Sequence, residues 1–135
     1  MTKQGPRRKV ADAEWTGRRT QARAFHESAR SLVTLAKGTS YNGAIALMVS
    51  AGIAYADAIT AKRKGVVNQQ DQQTAPRLLR EVLASTLPDG HDKFFRRLLG
   101  RKDELNYGAR STSLDEAARL LGELDEFAAW VEAVL

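Results

Sequence analysis

The stretch SYNGAIALMVSAGIAYADAITAKRKG, residues 40–65, decides the fold. Ile45, Met48, Val49, Gly52, Ile53, Ala56 and Ile59 recur at the spacings that place side chains on one face of a helix. The many alanines and glycines between them let neighbouring helices approach closely. Lys62, Arg63 and Lys64 collect where the helix dipole favours positive charge, and Gly65 supplies the stop. The pattern predicts a core helix from about Ser40 to Lys64. Its charge-free run, Gly38 to Ala56, opens on polar residues and glycine and is interrupted by Ser50 and Gly52. That falls short of a bilayer span of about 20 apolar residues. A buried helix accounts for it, and no membrane partner is expected.

Upstream, Trp15, Ala22, Phe25, Ala29, Leu32, Val33 and Ala36 share one face of a helix predicted from about Ala11 to Lys37, with Arg18, Arg19, Arg23 and Arg30 mostly on the other side. Gly38 is the expected left-handed stop. Residues 1–10, with the basic triplet Arg7, Arg8 and Lys9 and almost nothing apolar, read as a mobile basic arm ahead of one domain at 11–135. Downstream, VVNQQDQQ (66–73) reads as a loop, and Thr74 with Pro76 begins a short helix that buries Leu78, Leu79, Val82 and Leu83. Pro88, Asp89 and Gly90 turn the chain into a helix from about His91 to Asn106, with Phe94, Phe95, Leu98, Leu99 and Leu105 inward. Ser113 and Glu116 form a capping box for a last helix carrying Ala117, Leu120, Leu121, Leu124, Phe127, Ala128, Val131 and Leu135 on one face. No strand-like alternation, repeat or low-complexity tract interrupts the pattern. The fold class is all-α, with four main helices, a shorter extra one, and bundle packing.

The chain is 135 residues long, 43% hydrophobic and 27% charged, which suits one globular domain. It has no cysteine, which excludes disulfides, thiolate metal sites and cysteine nucleophiles and fits a reducing cytoplasm. The basic N-terminus has no apolar segment behind it, so no export signal is expected. Lys and Arg number 21 against 16 acids, a net charge of +5. Most of the excess is early, and residues 111–135 hold one arginine and six acids. Such a balance permits phosphate binding without requiring it.

Common enzyme signatures are absent: no phosphate-binding glycine loop, HExxH helix, GxSxG elbow or CxxC pair occurs. No metal or cofactor is expected. His26 and His91 stand on different helices without a second histidine or carboxylate cluster at ligand spacing, and both read as structural or surface residues. The dense charge lies in RRLLGRKDELNYGAR, residues 96–110. On a helix, Arg97 and Arg101 share a face, with Asn106 and Tyr107 at its end, so guanidinium, amide and phenol could converge on a phosphate and a stacked base. The alternative is a solvated helix face on which Asn106 and Gly108 merely end the helix.

The order of these segments resembles the HEPN superfamily of small helical-bundle proteins over roughly residues 23–135. The resemblance is carried by the Ala-rich helix with Tyr55, Ala56, Asp57 and Ala58, by the polar NQQDQQTAPRLL, and by RKDELNYGARSTSLDEAARLLGELDEFAAWV with its arginine and tyrosine ahead of a capped last helix. It implies an up-and-down four-helix core, homodimers and an RNA-related role. Many members are metal-independent ribonucleases of toxin, defence or RNA-processing systems, and others are inactive RNA- or partner-binding modules.

Catalytic members carry an arginine and a histidine with four to six residues between them. Counted from Arg101, the histidine would fall on Asn106, Tyr107 or Gly108; counted from Arg97, on Lys102, Asp103 or Glu104. The histidine is missing. Asparagine exchanges no proton near neutrality and tyrosine has a reference pKa near 10, so neither replaces it as acid or base without a large shift. Arg19 and His26 satisfy the spacing on the wrong helix. The expectation is therefore a degenerate RNA- or nucleotide-binding module in which Arg97, Arg101, Lys102 and Arg110 meet RNA. Its alternatives are an active ribonuclease using Arg101 with Asn106 and Tyr107, and a bundle pairing with a nucleotidyltransferase-type antitoxin. Asp57, a charge in an apolar stripe, calls for a partner such as Arg101 or Arg97.

Overall fold

The structure is a computed structural model that describes residues 7–11, 13–35, 37–38, 40–69, 72–107 and 110–135, apart from the side chains at 72, 106 and 107. Strand β1 (Arg7–Lys9) precedes helices α1 (Glu14–Leu35) and α2 (Asn42–Lys64). Strand β2 (Val66–Asn68), α3 (Ala75–Leu83), α4 (Asp89–Tyr107) and α5 (Leu114–Val134) follow. The fold is all-α, a helical bundle with one minimal two-stranded sheet.

Helix α2 is the axis of the bundle and touches each of the other four helices. From Ala51 to Ala61 every residue but Ile53 is buried, because neighbours cover the helix on nearly all sides and not along a single stripe. By length and composition α2 could cross a membrane, yet 78% of its apolar window lies inside the bundle. Gly52 is what lets α4 in so closely: a Cβ there would lie 2.7 Å from Leu98 Cδ2. Gly65 ends α2 in the left-handed conformation, φ 64°, and its N–H bonds back to the Ala61 and Thr60 carbonyls.

Contacts along the helices set their directions. Leu32 lies against Gly43 and Arg18 against Asp57, so α1 and α2 run antiparallel. Arg97 meets Glu123 and His91 stacks on Trp130, so α4 and α5 do too. Phe94, Phe95, Leu98 and Leu99 of α4 and Leu124, Phe127 and Val131 of α5 close the core against α2.

Three local expectations change. Helix α1 ends at Leu35, and Gly38 is not left-handed; Gly65 has the only positive-φ glycine conformation among the described residues. Val66–Asn68, expected as loop, is a strand: two β-branched valines favour extended backbone, and Val67 is 2% exposed. Its partner is Arg7–Lys9, in antiparallel register Arg7 with Asn68, Arg8 with Val67 and Lys9 with Val66. The expected mobile arm is thus tied down from Arg7 onward, with Arg7 paired to Glu81 at 2.9 Å and Arg8 to Glu14 at 3.1 Å. The rest of that arm, residues 1–6, lies outside the described residues.

Candidate functional site

Arg101 projects from the C-terminal half of α4 toward the segment entering α5. Its side chain is 16% exposed and its Nη2 donates to Thr112 Oγ1 at 3.1 Å. Thr112 is held in turn by Asn42 at the start of α2, whose Oδ1 accepts from both the Thr112 amide, at 3.1 Å, and its hydroxyl. Asn42 Nδ2 donates to the Arg110 carbonyl at 3.1 Å. Arg101 Nε lies 2.9 Å from Glu104 Oε2 without a hydrogen-bonding angle, so that contact is purely Coulombic. Glu116 stands 3.8 Å from Nη1.

The other expected RNA contacts surround this residue. Arg97 is exposed and pairs with Glu123, and Arg110 is exposed and pairs with Glu104, at 3.3 Å, and with Glu116. Lys102 is half-buried on the next position of α4. Arg97, Arg101, Arg119, Glu116 and Glu123 line a shallow cleft of about 170 Å³. Arg97, Arg101, Arg110 and Arg119 are therefore gathered around Glu116 and Glu123, but Arg97, Arg101 and Arg110 already have carboxylates against them. The side chains of Asn106 and Tyr107, expected beside Arg101 as catalytic groups, lie outside the described residues, as does Gly108.

Asp57 is not Arg101's neighbour, nor Arg97's. Arg101 is anchored near Asn42, and Asp57 sits fifteen positions further along α2, about 22 Å at the helical rise. Its partner is Arg18 of α1, Nη1 to Oδ2 at 3.3 Å, while Arg18 Nη2 donates to Glu14 at 2.8 Å. These groups open on a cleft of about 370 Å³ between α1, α2 and β2. Gln21, Ser50 and Asn68 add polar groups, and Phe25 and Ile53 add an apolar wall. Asp57 is only 6% exposed; burial pushes its carboxyl up to about 7, against the opposing pull of Arg18 and a backbone hydrogen bond from Asn68. Sequence reasoning singled out Asp57, put Arg18 mostly on the side of α1 away from its apolar face, and missed Asn68; Arg18, three positions after Trp15 and four before Ala22, instead turns toward α2. The helix register alone allows Arg18 to face α2, whereas Asn68 reaches the cleft only because β2 folds back.

The two histidines, expected as structural or surface residues, lie on different helices with different partners. His26 is 8% exposed, with Nε2 2.7 Å from Asp125 Oδ1 and Nδ1 2.9 Å from the Tyr55 hydroxyl. Asp125 can only accept, so Nε2 carries a proton, and in the neutral ring Nδ1 accepts from Tyr55. Burial pushes the Tyr55 phenol up to about 12. His91 stacks on Trp130 with ring centroids 4.9 Å apart, and burial holds it below the usual histidine range. It stands ten positions before Arg101 on α4, about 15 Å away along the helix. Among the described residues no group of three potential metal ligands occurs.

No protein-family model matches this chain, and no curated protein matches it either.

Proposed function

We propose that this protein is a HEPN-like RNA-binding module, catalytically degenerate, of a toxin-antitoxin, defence or RNA-processing system. The observation that carries the reading is the arginine cleft between α4 and α5, where Arg101 is pinned by Thr112 while Arg97 and Arg119 open beside it. Antiparallel long helices packed on α2 are compatible with the up-and-down four-helix arrangement of that family, and the homodimer belongs to the same proposal. Arg97, Arg101, Lys102 and Arg110 contact phosphates in this reading. A phosphate must displace Glu104, Glu116 or Glu123 from the guanidinium groups, which makes binding weak and salt-sensitive. Neither histidine lies at the cleft to act as acid or base, which favours binding without cleavage.

The test is fluorescence anisotropy of a mixed single-stranded RNA pool at two salt concentrations, with cleavage followed on gels. Wild type binds, with affinity falling steeply as salt rises. Arg97→Ala, a change at an exposed position, weakens binding across sequences and lowers the salt slope by about 0.7, the value for one phosphate contact to a single strand. Cleavage abolished by Arg101→Ala would replace this reading with an active ribonuclease using Arg101, Asn106 and Tyr107.

A second reading rests on the same ion pairs. With Arg97, Arg101 and Arg110 matched to glutamates, the face is nearly charge-balanced and suits a protein partner, such as a nucleotidyltransferase-type antitoxin. Absence of RNA binding at low salt would select it.

A further inference from the structure

At the end of the bundle where α1 begins and α2 stops, a group of cations has no carboxylates against it. Lys62 Nζ lies 4.4 Å from the centre of the Trp15 ring, and the Arg19 guanidinium lies 5.3 Å from it. One indole therefore gathers two positive charges within about 10 Å of each other, by an attraction to its π system that leaves their charge intact. Lys64 follows on α2, and Lys9 stands opposite Val66 in the β1–β2 pairing. Lys9, Lys62 and Lys64 are exposed and Arg19 is half-buried; among the described residues none of these cations has an ion-pair partner. Arg19 Nε is sealed without a hydrogen-bond acceptor, so among the described residues the ring alone holds that guanidinium. Glutamates on the bordering elements are matched already, Glu14 by Arg8 and Arg18 and Glu132 by Arg23. Arg63, between the lysines, donates to the Val134 carbonyl.

We infer that this basic end is a second contact surface for single-stranded RNA, in which Arg19, Lys62, Lys64 and Lys9 meet phosphates and Trp15 positions the first two. The inference rests on the RNA-binding reading and adds a surface to it. Asn42, tied through Thr112 to Arg101, lies twenty positions before Lys62 on α2, about 30 Å at the helical rise. The two surfaces differ in what a phosphate must displace. Between α4 and α5 it competes with Glu104, Glu116 and Glu123, whereas at the basic end it exchanges only with counterions and solvent. Successive phosphates on a stacked strand advance about 3.4 Å, so two or three can meet the Arg19 and Lys62 charges together. Holding both cations on one ring lowers the cost of ordering them when the strand binds. An anionic bilayer is a poorer match, because a protein bound at its surface sinks apolar groups as well as meeting charge. The large apolar side chains exposed among the described residues are Leu32, Leu35 and Leu114. Leu32 lies seventeen positions from Trp15 on α1, about 26 Å away, and Leu114 starts α5 whereas the basic end borders its finish.

Anisotropy of a labelled single-stranded oligouridine is measured with the full chain across a salt series, with polyglutamate and phosphatidylserine vesicles as competing anions. The double change Lys62→Gln with Lys64→Gln removes two exposed charges and should leave the melting temperature unchanged. It lowers the salt slope by about 1.4 and weakens binding by about 25-fold, the counterion-release gain of two single-strand contacts between about 1 M and 0.1 M salt. Trp15→Leu keeps every charge but frees Arg19 and Lys62, so affinity falls while the slope holds. Wild-type affinity and slope in the lysine variant would overturn the inference and leave the RNA-binding reading standing on Arg97→Ala. No RNA binding by the wild type at low salt would overturn both. Polyglutamate or vesicles bound as tightly as the oligouridine would overturn the assignment of this surface to RNA.

Discussion

Asp57 and Arg18 form an ion pair at the wall of an aqueous cleft, and the burial of Asp57 outweighs the pull of its partner. Because the carboxyl is pushed up to about 7 from an unfolded value near 3.8, the folded state holds a proton that the unfolded state releases between those values. Stability from this group is full below pH 4 and declines as pH rises to about 7, then levels. Urea unfolding of wild type and Asp57→Asn should therefore show the wild type losing stability relative to the variant from pH 5 to pH 8. A difference that stays flat across that range would show an ordinary carboxylate. Burial acts in the same direction on Tyr55: its phenol, pushed up to about 12, stays neutral throughout and serves His26 as a hydrogen-bond partner. Asp57's need for a partner is readable in a sequence, since a charge within an apolar stripe must be matched. Which arginine answers is not, because Arg18 and Arg101 are both plausible until the helices are placed.

Single helices are specified mainly by their ends and their apolar faces. Ser113 caps α5 by accepting the Glu116 amide at 3.2 Å, half of the capping box. The Glu116 carboxylate accepts from the Ser113 hydroxyl through Oε1 at 3.5 Å and faces Arg110 and Arg101 through Oε2, so cap and arginine cleft are linked. Ser113→Ala should cost about 1 kcal/mol in chemical denaturation and loosen Glu116 as well. Thr74 behaves differently: it stands at the N-terminus of α3, but its hydroxyl donates to Asn68 Oδ1 at 2.8 Å and makes no cap bond. That hydroxyl joins α3 to β2, and residue type alone does not distinguish the two uses. The inward faces of α4 and α5 were legible because each meets the core along one stripe; α2 exceeded its stripe because helices surround it.

Across the whole molecule, the β1–β2 pairing closes the end of the bundle where α2 stops. Val10 N–H bonds the Gly65 carbonyl at 2.9 Å, Val67 is sealed beneath, and Arg7 reaches Glu81 on α3. A chain starting at Ala11 loses these ties. It should melt at lower temperature and show faster amide exchange at Val66–Asn68, with α4 and α5 protected as before; unchanged exchange there would mean that β1 contributes nothing. The all-α class, the order of the helices, the Gly65 stop, the Ser113 cap and most of the core were determined by the sequence itself, because each depends on spacing or on neighbours within a turn or two. The strand pairing, the partner of Asp57, the cleft it lines and the glutamates that occupy Arg97, Arg101 and Arg110 were decided only by tertiary structure. Those contacts join residues many turns apart, and short-range periodicity carries no record of which distant surfaces meet.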